Sequence, residues 1–252
     1  MVKIYDCFMF MNEFDMLKKR LDYLKNTVDC FVLVESPYLH SGKPKELLFT
    51  QRKEEFKGYN IIHLVSDELP ADFVGFSKQY GFDTLNWDRE MYQREYLKNV
   101  SDVINDDDIV LISDVDEIPD IAAVRPHTST VGLHMLNFQF NFNFVQHREP
   151  WVGTVITNGS HFKTHGANFF RYNRWRFTIL RDSGWHLSSF GDIEHILYKF
   201  NNFSHCDDVA VKDVITADYL TAIIVDGDAT NLAKDIRPSK PDEIATVPQV
   251  FL

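Results

Sequence analysis

The chain has 252 residues, 44% of them hydrophobic and 14% aromatic, enough apolar surface to build a core without disulfide or metal staples. A formal net charge of -11 excludes a nucleic-acid-binding surface, because neutralising phosphates requires clustered Lys and Arg. No apolar run reaches the ~20 residues of a membrane helix. Cys7, Cys30 and Cys206 lie far apart, without a C-x-x-C pair or a zinc spacing, so they are expected to be buried free thiols. The first residues lack the basic, apolar and small-residue regions of a signal peptide, so a cytoplasmic setting is expected.

Residues 2–11 read as a buried strand, followed by an amphipathic helical pattern through Met16, Leu17, Leu21 and Leu24, and a second apolar strand over 29–35. Strand, helix and strand in so short a span predict a βαβ unit with parallel strands covered by helices. A polar loop through Ser41-Gly42-Lys43-Pro44 comes next, then a short helix at 52–56 and a third strand at 60–65. Residues 67–86 are irregular and aromatic-rich, a connection. Residues 87–104 are helical by pattern, and 108–113 form a fourth strand that delivers Asp114-Val115-Asp116-Glu117-Ile118-Pro119. Over 132–145, Phe138, Phe140, Phe142 and Phe144 alternate with Asn and Gln, the period of a half-solvated antiparallel strand. Strands at 151–157 and 177–180 and a helix at 192–202 complete the pattern. The fold class is therefore α/β: a mostly parallel sheet with an antiparallel portion. No linker divides it, so one domain is expected, with halves at about 1–120 and 121–235 and a tail at 236–252.

The strongest signal is the acidic segment after the fourth strand. In open parallel sheets ligands bind beyond the carboxyl ends of the strands, so these carboxylates fall in a crevice. Asp114 and Asp116 supply hard oxygen ligands suited to Mg²⁺ or Mn²⁺, which would leave positions open for diphosphate oxygens. An acidic protein that binds a diphosphate needs such local positive charge. The competing readings are a helix cap ending in Pro119 and a haloacid-dehalogenase-like phosphatase with Asp114 as nucleophile. Against the latter, Glu117-Ile118 replaces the residues such enzymes place there, and three strands precede the motif.

Four stretches in order resemble the family 17 glycosyltransferases, which include β-1,4-mannosyl-glycoprotein β-1,4-N-acetylglucosaminyltransferases. They are residues 10–17 with Arg20-Leu21, Val34-Glu35-Ser36 with residues 41–45, residues 107–119, and Gly184-Trp185-His186 with Lys199-Phe200 and Ser204-His205. The resemblance implies a GT-A-like fold, a UDP-sugar donor, UDP-GlcNAc first, a divalent metal, a glycan acceptor and inversion to a β-linkage. The family's animal members carry an amino-terminal anchor and stem that this sequence does not show. A carbohydrate-binding protein without catalysis on the same fold is the other alternative.

Within that frame, Asp114 and Asp116 are assigned to metal and diphosphate, and His186 to the metal, since neutral imidazole is a good Mn²⁺ ligand. Asp116 and Glu117 are the catalytic candidates, with the base left open between Glu117 and others. Arg94 precedes the metal strand and suits phosphate oxygens, with an ion pair to Glu90 as its competing reading. Asn12, Glu13, Glu35 and Ser36 end strands on the crevice edge where nucleotide would lie. Trp185 and Trp151 are candidates for stacking on a sugar face.

Overall fold

Apolar runs alternating with amphipathic helices in the first third of the chain do produce parallel strands. The computed structural model describes residues 1–147, 150–208, 214–227 and 232–252. β1 (Ile4–Phe10) pairs in parallel with β2 (Cys30–Glu35) across α1 (Phe14–Leu24), and β2 pairs in parallel with β3 (Ile61–Val65), reached through α2 (Leu48–Arg52). On the other side of β1 lies β4 (Ile109–Asp114), also parallel. β2 is buried at every position, as a strand covered on both faces must be. Leu17, Leu21 and Leu24 of α1 sit against Phe8, Phe10, Phe31 and Leu33, and on the opposite face Val32 and Val34 meet Leu97, Val100 and Phe162.

Beyond β4 the main path of the sheet turns antiparallel, as the sequence pattern predicts for the second half. β5 (Glu117–Pro119), β6 (Val131–Gln139), β7 (Phe144–Gln146) and β8 (Trp151–Asn158) follow, with β9 (Thr178–Leu180), β10 (Gly184–Ser188) and β11 (Ile236–Pro238). The principal strand order is β11-β7-β6-β8-β4-β1-β2-β3, with β10 bridging β5 and β6 and β9 joining β6, while β9 and β10 both pair with β6 in parallel. Thus the acidic segment leaves β4 beside β1, where the strand order 3-2-1-4 reverses, a topological switch point.

Several elements depart from the sequence pattern for identifiable reasons. The helix expected at 87–104 is α-helical only over Leu85–Glu95, here α3, and continues as 3₁₀ turns to Val103; β-branched Val100 and Val103 and the Asn99-Val100-Ser101-Asp102 run are weak helix formers. The Phe alternation does not make one strand, because Phe140 takes a left-handed φ of 68° and ends β6 at Gln139. The region after Ile236 is more than a tail: β11 pairs with β7, and Val247 and Phe251 are buried. The aromatic connection is pinned, since the Asp88 carboxylate accepts from the Gly75 and Ser77 amides at 2.8 Å and Tyr80 stacks on Tyr172.

Helix α4 (Gly159–Asn173) was not expected at all. Two glycines mask its periodicity, and Gly166 breaks it with a φ of 75°. There the Glu95 carboxylate accepts the Asn168 amide at 3.1 Å and its side-chain nitrogen at 3.0 Å, capping the second half of the helix as an N-cap side chain would. No helix among the described residues is long and apolar enough to cross a membrane. A Cβ at Gly166 would collide with Glu95 in a backbone conformation that L residues avoid. Gly166→Ala should therefore cost about 2–3 kcal/mol in urea unfolding, whereas an exposed-site alanine control should change little.

Candidate active site

Four helices converge on the acidic turn. The base of the turn is Arg20 from α1, whose guanidinium is fully buried with Asp6 of β1 and donates to both of its carboxylate oxygens at 2.8 and 2.7 Å. The same side chain donates to Ser113 Oγ at 2.9 Å and to the backbone carbonyls of Asp114, Val115 and Glu117 at 3.3, 3.3 and 2.6 Å. One arginine therefore fixes the path of the chain through the turn.

Above it, the three acidic side chains have different environments. Glu117 is inaccessible to solvent; it accepts from Arg171 Nη1 at 2.6 and 2.8 Å, from Trp151 Nε1 at 2.9 Å and from the Asp114 amide at 2.9 Å. Gly153 makes this space, because a Cβ there would press on the Glu117 carboxyl and on Met135. Asp114 pairs with Arg171 Nη2 at 2.5 Å and with Arg94 Nη2 at 3.3 Å. Burial would raise the Asp114 carboxyl, yet Arg171 and Arg94 outweigh it and hold it at about 2.

Asp116 faces the open cleft. Lys199, on α5 (Ile193–Phe200), donates to its Oδ2 at 2.9 Å, and His186 Nε2 of β10 stands 3.5 Å from its Oδ1. β10 achieves this by pairing antiparallel with β5, His186 opposite Glu117. Against the burial that would raise it, Lys199 and His186 hold the Asp116 carboxyl well below the usual carboxylate range. The His186 ring stacks on Trp151 at 4.5 Å, and its Nδ1 is buried without a hydrogen bond among the described residues. The cleft measures about 770 Å³ and is lined by Glu13, Trp87, Arg94, Asp114, Asp116, Arg171, His186 and Lys199 among others, a size and mixture typical of small-molecule sites.

Not every residue singled out from the sequence reaches this cleft. Arg94 makes the ion pair with Glu90 that was its competing reading, at 2.7 Å, and it also lines the cleft, paired with Asp114. Glu13 reaches the cleft; its Oε2 accepts the Met11 and Asn12 amides, each at 3.0 Å. Asn12 lies in an adjoining 360 Å³ hollow that shares Glu13, Asp116 and Lys199 with the cleft. Glu117 is at the turn but beneath the cleft. Glu35 is fully buried and accepts from the Phe49 and Thr50 amides and from Lys45, which fixes the following loop. Ser36 lines a separate 210 Å³ cavity with Arg89 and Tyr92. Trp185, one residue before His186, points away from the cleft and donates to Thr246. Among the described residues no group of three or more His, Cys, Asp or Glu converges as a preformed metal cage.

Arg171 is not visible in the sequence, because the glycines of α4 hide the helix that carries it, and Lys199 belongs to the family-like stretches without a role of its own there. The signal for Lys199 was present: a cation on an amphipathic helix shortly after Gly184-Trp185-His186.

An α/β sheet that opens at a switch point onto an acidic turn, flanked by fixed cations, defines a protein built to hold a polar, charged ligand at the strand ends. The profile of glycosyltransferase family 17 matches residues 1–237, and the chain belongs to that family. The family is one of transferases and not of haloacid dehalogenase phosphatases. The β-1,4-mannosyl-glycoprotein 4-β-N-acetylglucosaminyltransferases of Homo sapiens and Rattus norvegicus are each 32% identical to it over 116 residues. That match is 43% of this chain and 20% of each relative, so the chain spans only a fraction of those proteins' length. A crystal structure of the glycosyltransferase GlyE in Streptococcus pneumoniae TIGR4 overlays with a TM-score of 0.33 and 10% identity, covering 71% of this chain and 46% of that one.

Two outcomes follow from the charge arrangement. Arg171→Ala leaves the Glu117 carboxylate buried without its counter-ion and should cost about 3–5 kcal/mol in urea unfolding. Because the Asp114 carboxyl is depressed on folding, the stability it contributes is present above its ordinary value of 3.8 and is lost as pH falls through about 2. Asp114→Asn should accordingly flatten the acid limb of stability in that window, read by thermal unfolding as a function of pH.

Proposed function

We propose that the chain is a metal-dependent inverting glycosyltransferase that moves GlcNAc from UDP-GlcNAc to a hydroxyl of a glycan, forming a β-linkage. The observation that carries this reading is Asp116, presented at the switch point of the sheet between His186 and Lys199, in a cleft that also receives Arg94 and Arg171. Family membership supports the transferase class. The donor sugar rests on the names of the relatives.

The residues present fit a divalent cation, Mn²⁺ or Mg²⁺. Asp116 Oδ1 and His186 Nε2 face each other across 3.5 Å, a hard oxygen and an imidazole on one cleft wall, and would hold the ion, which when bound neutralises the departing diphosphate. Asp114 is a less suitable ligand, because both of its oxygens are engaged by arginines. Its role is to set those two guanidinium groups toward phosphate oxygens, with Lys199 adding a third cation.

The base is neither Asp116 nor Glu117. A carboxylate with so low an affinity for protons is a weak base, and Glu117 is enclosed. Glu13 is the better candidate: two backbone amides fix one oxygen, which leaves the other to take the acceptor's proton. In a single displacement the acceptor oxygen then bonds to the anomeric carbon, the bond from that carbon to the diphosphate breaks, UDP leaves, and the proton passes to Glu13.

Calorimetric titration of UDP-GlcNAc with Mn²⁺ and with EDTA, on wild type and Asp116→Asn, tests the reading. Metal-dependent binding that weakens at least ten-fold in the variant is expected; no binding under either condition contradicts it. Glu13→Gln should lower kcat for UDP release at least a hundred-fold and leave UDP-GlcNAc affinity within about three-fold, on the usual scale of acid–base catalysis. Equal losses of affinity and kcat would instead make Glu13 a donor-binding residue.

A further inference from the structure

Arg171 grips Asp114 and Glu117 together, so its place in the cleft depends on the helix that carries it. That helix is divided. Gly166 interrupts α4 with a φ of 75° and a ψ of 170°, and Arg171 and Tyr172 belong to the half that follows. A break of this kind leaves the first amides of the new half without carbonyls one turn behind them. Glu95, the last residue of α3, supplies the missing acceptor. Its Oε2 accepts the Asn168 amide at 3.1 Å and the Asn168 side-chain nitrogen at 3.0 Å, and its carboxyl fills the space that any side chain at position 166 would need.

The geometry carries this hold to the cleft. Asn168 is buried, and its side-chain nitrogen donates also to the Met91 carbonyl at 2.8 Å, so α3 fixes it twice. Arg171 lies three residues further on, where a helix brings side chains to the same face. In the same half, Tyr172 Oη accepts from Arg94 at 3.2 Å and donates to Glu90 at 3.4 Å, a second attachment to α3. Glu95 itself does not line the cleft. Its carboxylate at the start of a helical run is favoured by the aligned peptide dipoles.

That charge is nonetheless held at a cost. Facing Glu95 are Asn168 from α4, Tyr80 from the aromatic connection, and Arg94 and Lys98 from its own run of helix. Burial outweighs the favourable partners and raises the carboxyl above its ordinary 4.5. With the folded value above the unfolded one, the stability linked to this group is present while it is protonated and is lost as pH rises through the folded value. Ionised Glu95 therefore opposes folding at neutral pH, as groups kept for function often do.

We propose that Glu95 is a positioning residue for the reaction: from outside the cleft its carboxylate holds the second half of α4 so that Arg171 stands where the diphosphate binds, and a proton on Glu95 loosens that hold. The ligand in this statement rests on the transferase reading; the hold on Arg171 does not.

The probes are UDP-GlcNAc with Mn²⁺, followed by calorimetry, and the Arg171 Nε–H resonance of the ligand-free chain, followed by NMR as pH is lowered. In wild type that resonance should shift with the same midpoint as the Glu95 carboxyl carbon, above 4.5; absence of the shared step overturns the proposal without any variant. Glu95→Gln should remove the step, weaken UDP-GlcNAc binding at neutral pH by about five-fold or more, and unfold at no lower urea concentration than wild type. Wild-type affinity in Glu95→Gln overturns the proposal, and so does a fall in affinity matched by a loss of stability, which would make Glu95 a structural residue. A shared step in a chain that does not bind UDP-GlcNAc supports the hold on Arg171 and overturns the transferase reading alone.

Discussion

The buried guanidinium of Arg20 is the interaction on which the site depends. It directs its donors to the Asp6 carboxylate, to Ser113 Oγ and to the turn carbonyls of Asp114, Val115 and Glu117, in a place where neither it nor Asp6 touches water. A buried ion pair is weak evidence for stability, since desolvation offsets much of the attraction. Its value here is geometric. Without a donor beneath them, the carbonyls after β4 would be orphaned where the chain leaves the sheet, and the turn would have no reason to present Asp116 outward and Glu117 inward.

From that anchor the charges alternate upward. Asp6 meets Arg20, Glu117 and Asp114 meet Arg171, Asp114 and Glu90 meet Arg94, and Asp116 meets Lys199. Each carboxylate fixes a cation that a flexible chain would otherwise leave in solvent, so the wall of the cleft carries oriented positive groups although the chain as a whole is at -11. Preorganised charge of this kind is what a departing diphosphate requires. Arg174 continues the series with no ion pair among the described residues: burial first, then the like charge of Arg171, lower its guanidinium to about 9, and it lies 4.6 Å over the Trp151 ring. Trp151 thereby links the buried carboxylate, the histidine and this arginine in one packed unit.

The parallel half of the fold was legible because its signals are local. Apolar runs of strand length, helical spacing in residues 14–24 and an acidic break after residue 113 all survive as sequence pattern. The position of Asp116 followed from the rule that ligands gather at the carboxyl ends of parallel strands. The antiparallel half was less legible, because left-handed Phe140 ended the expected long strand and two glycines concealed α4. Missing that helix hid Arg171, and with it the reason Glu117 lies inward: a carboxylate beside a metal-type motif looks available until the residue that buries it is known. Trp185 illustrates the same limit. Adjacent residues on a strand face opposite ways, so Trp185 and His186 cannot share a cavity, and only the pairing of β10 with β5 and β6 decides which one faces Asp116.

The most direct measurement is the UDP-GlcNAc affinity, with Mn²⁺, of the Arg20→Met/Asp6→Leu double variant. Removing both buried charges together avoids the penalty of leaving either one unpaired, so the variant is expected to fold cooperatively. The carbonyls of Asp114, Val115 and Glu117 lose their shared donor, and affinity should fall at least ten-fold while the protein remains native. Wild-type affinity in the folded double variant would contradict the account, because the turn would then hold its shape, and its ligand, without Arg20.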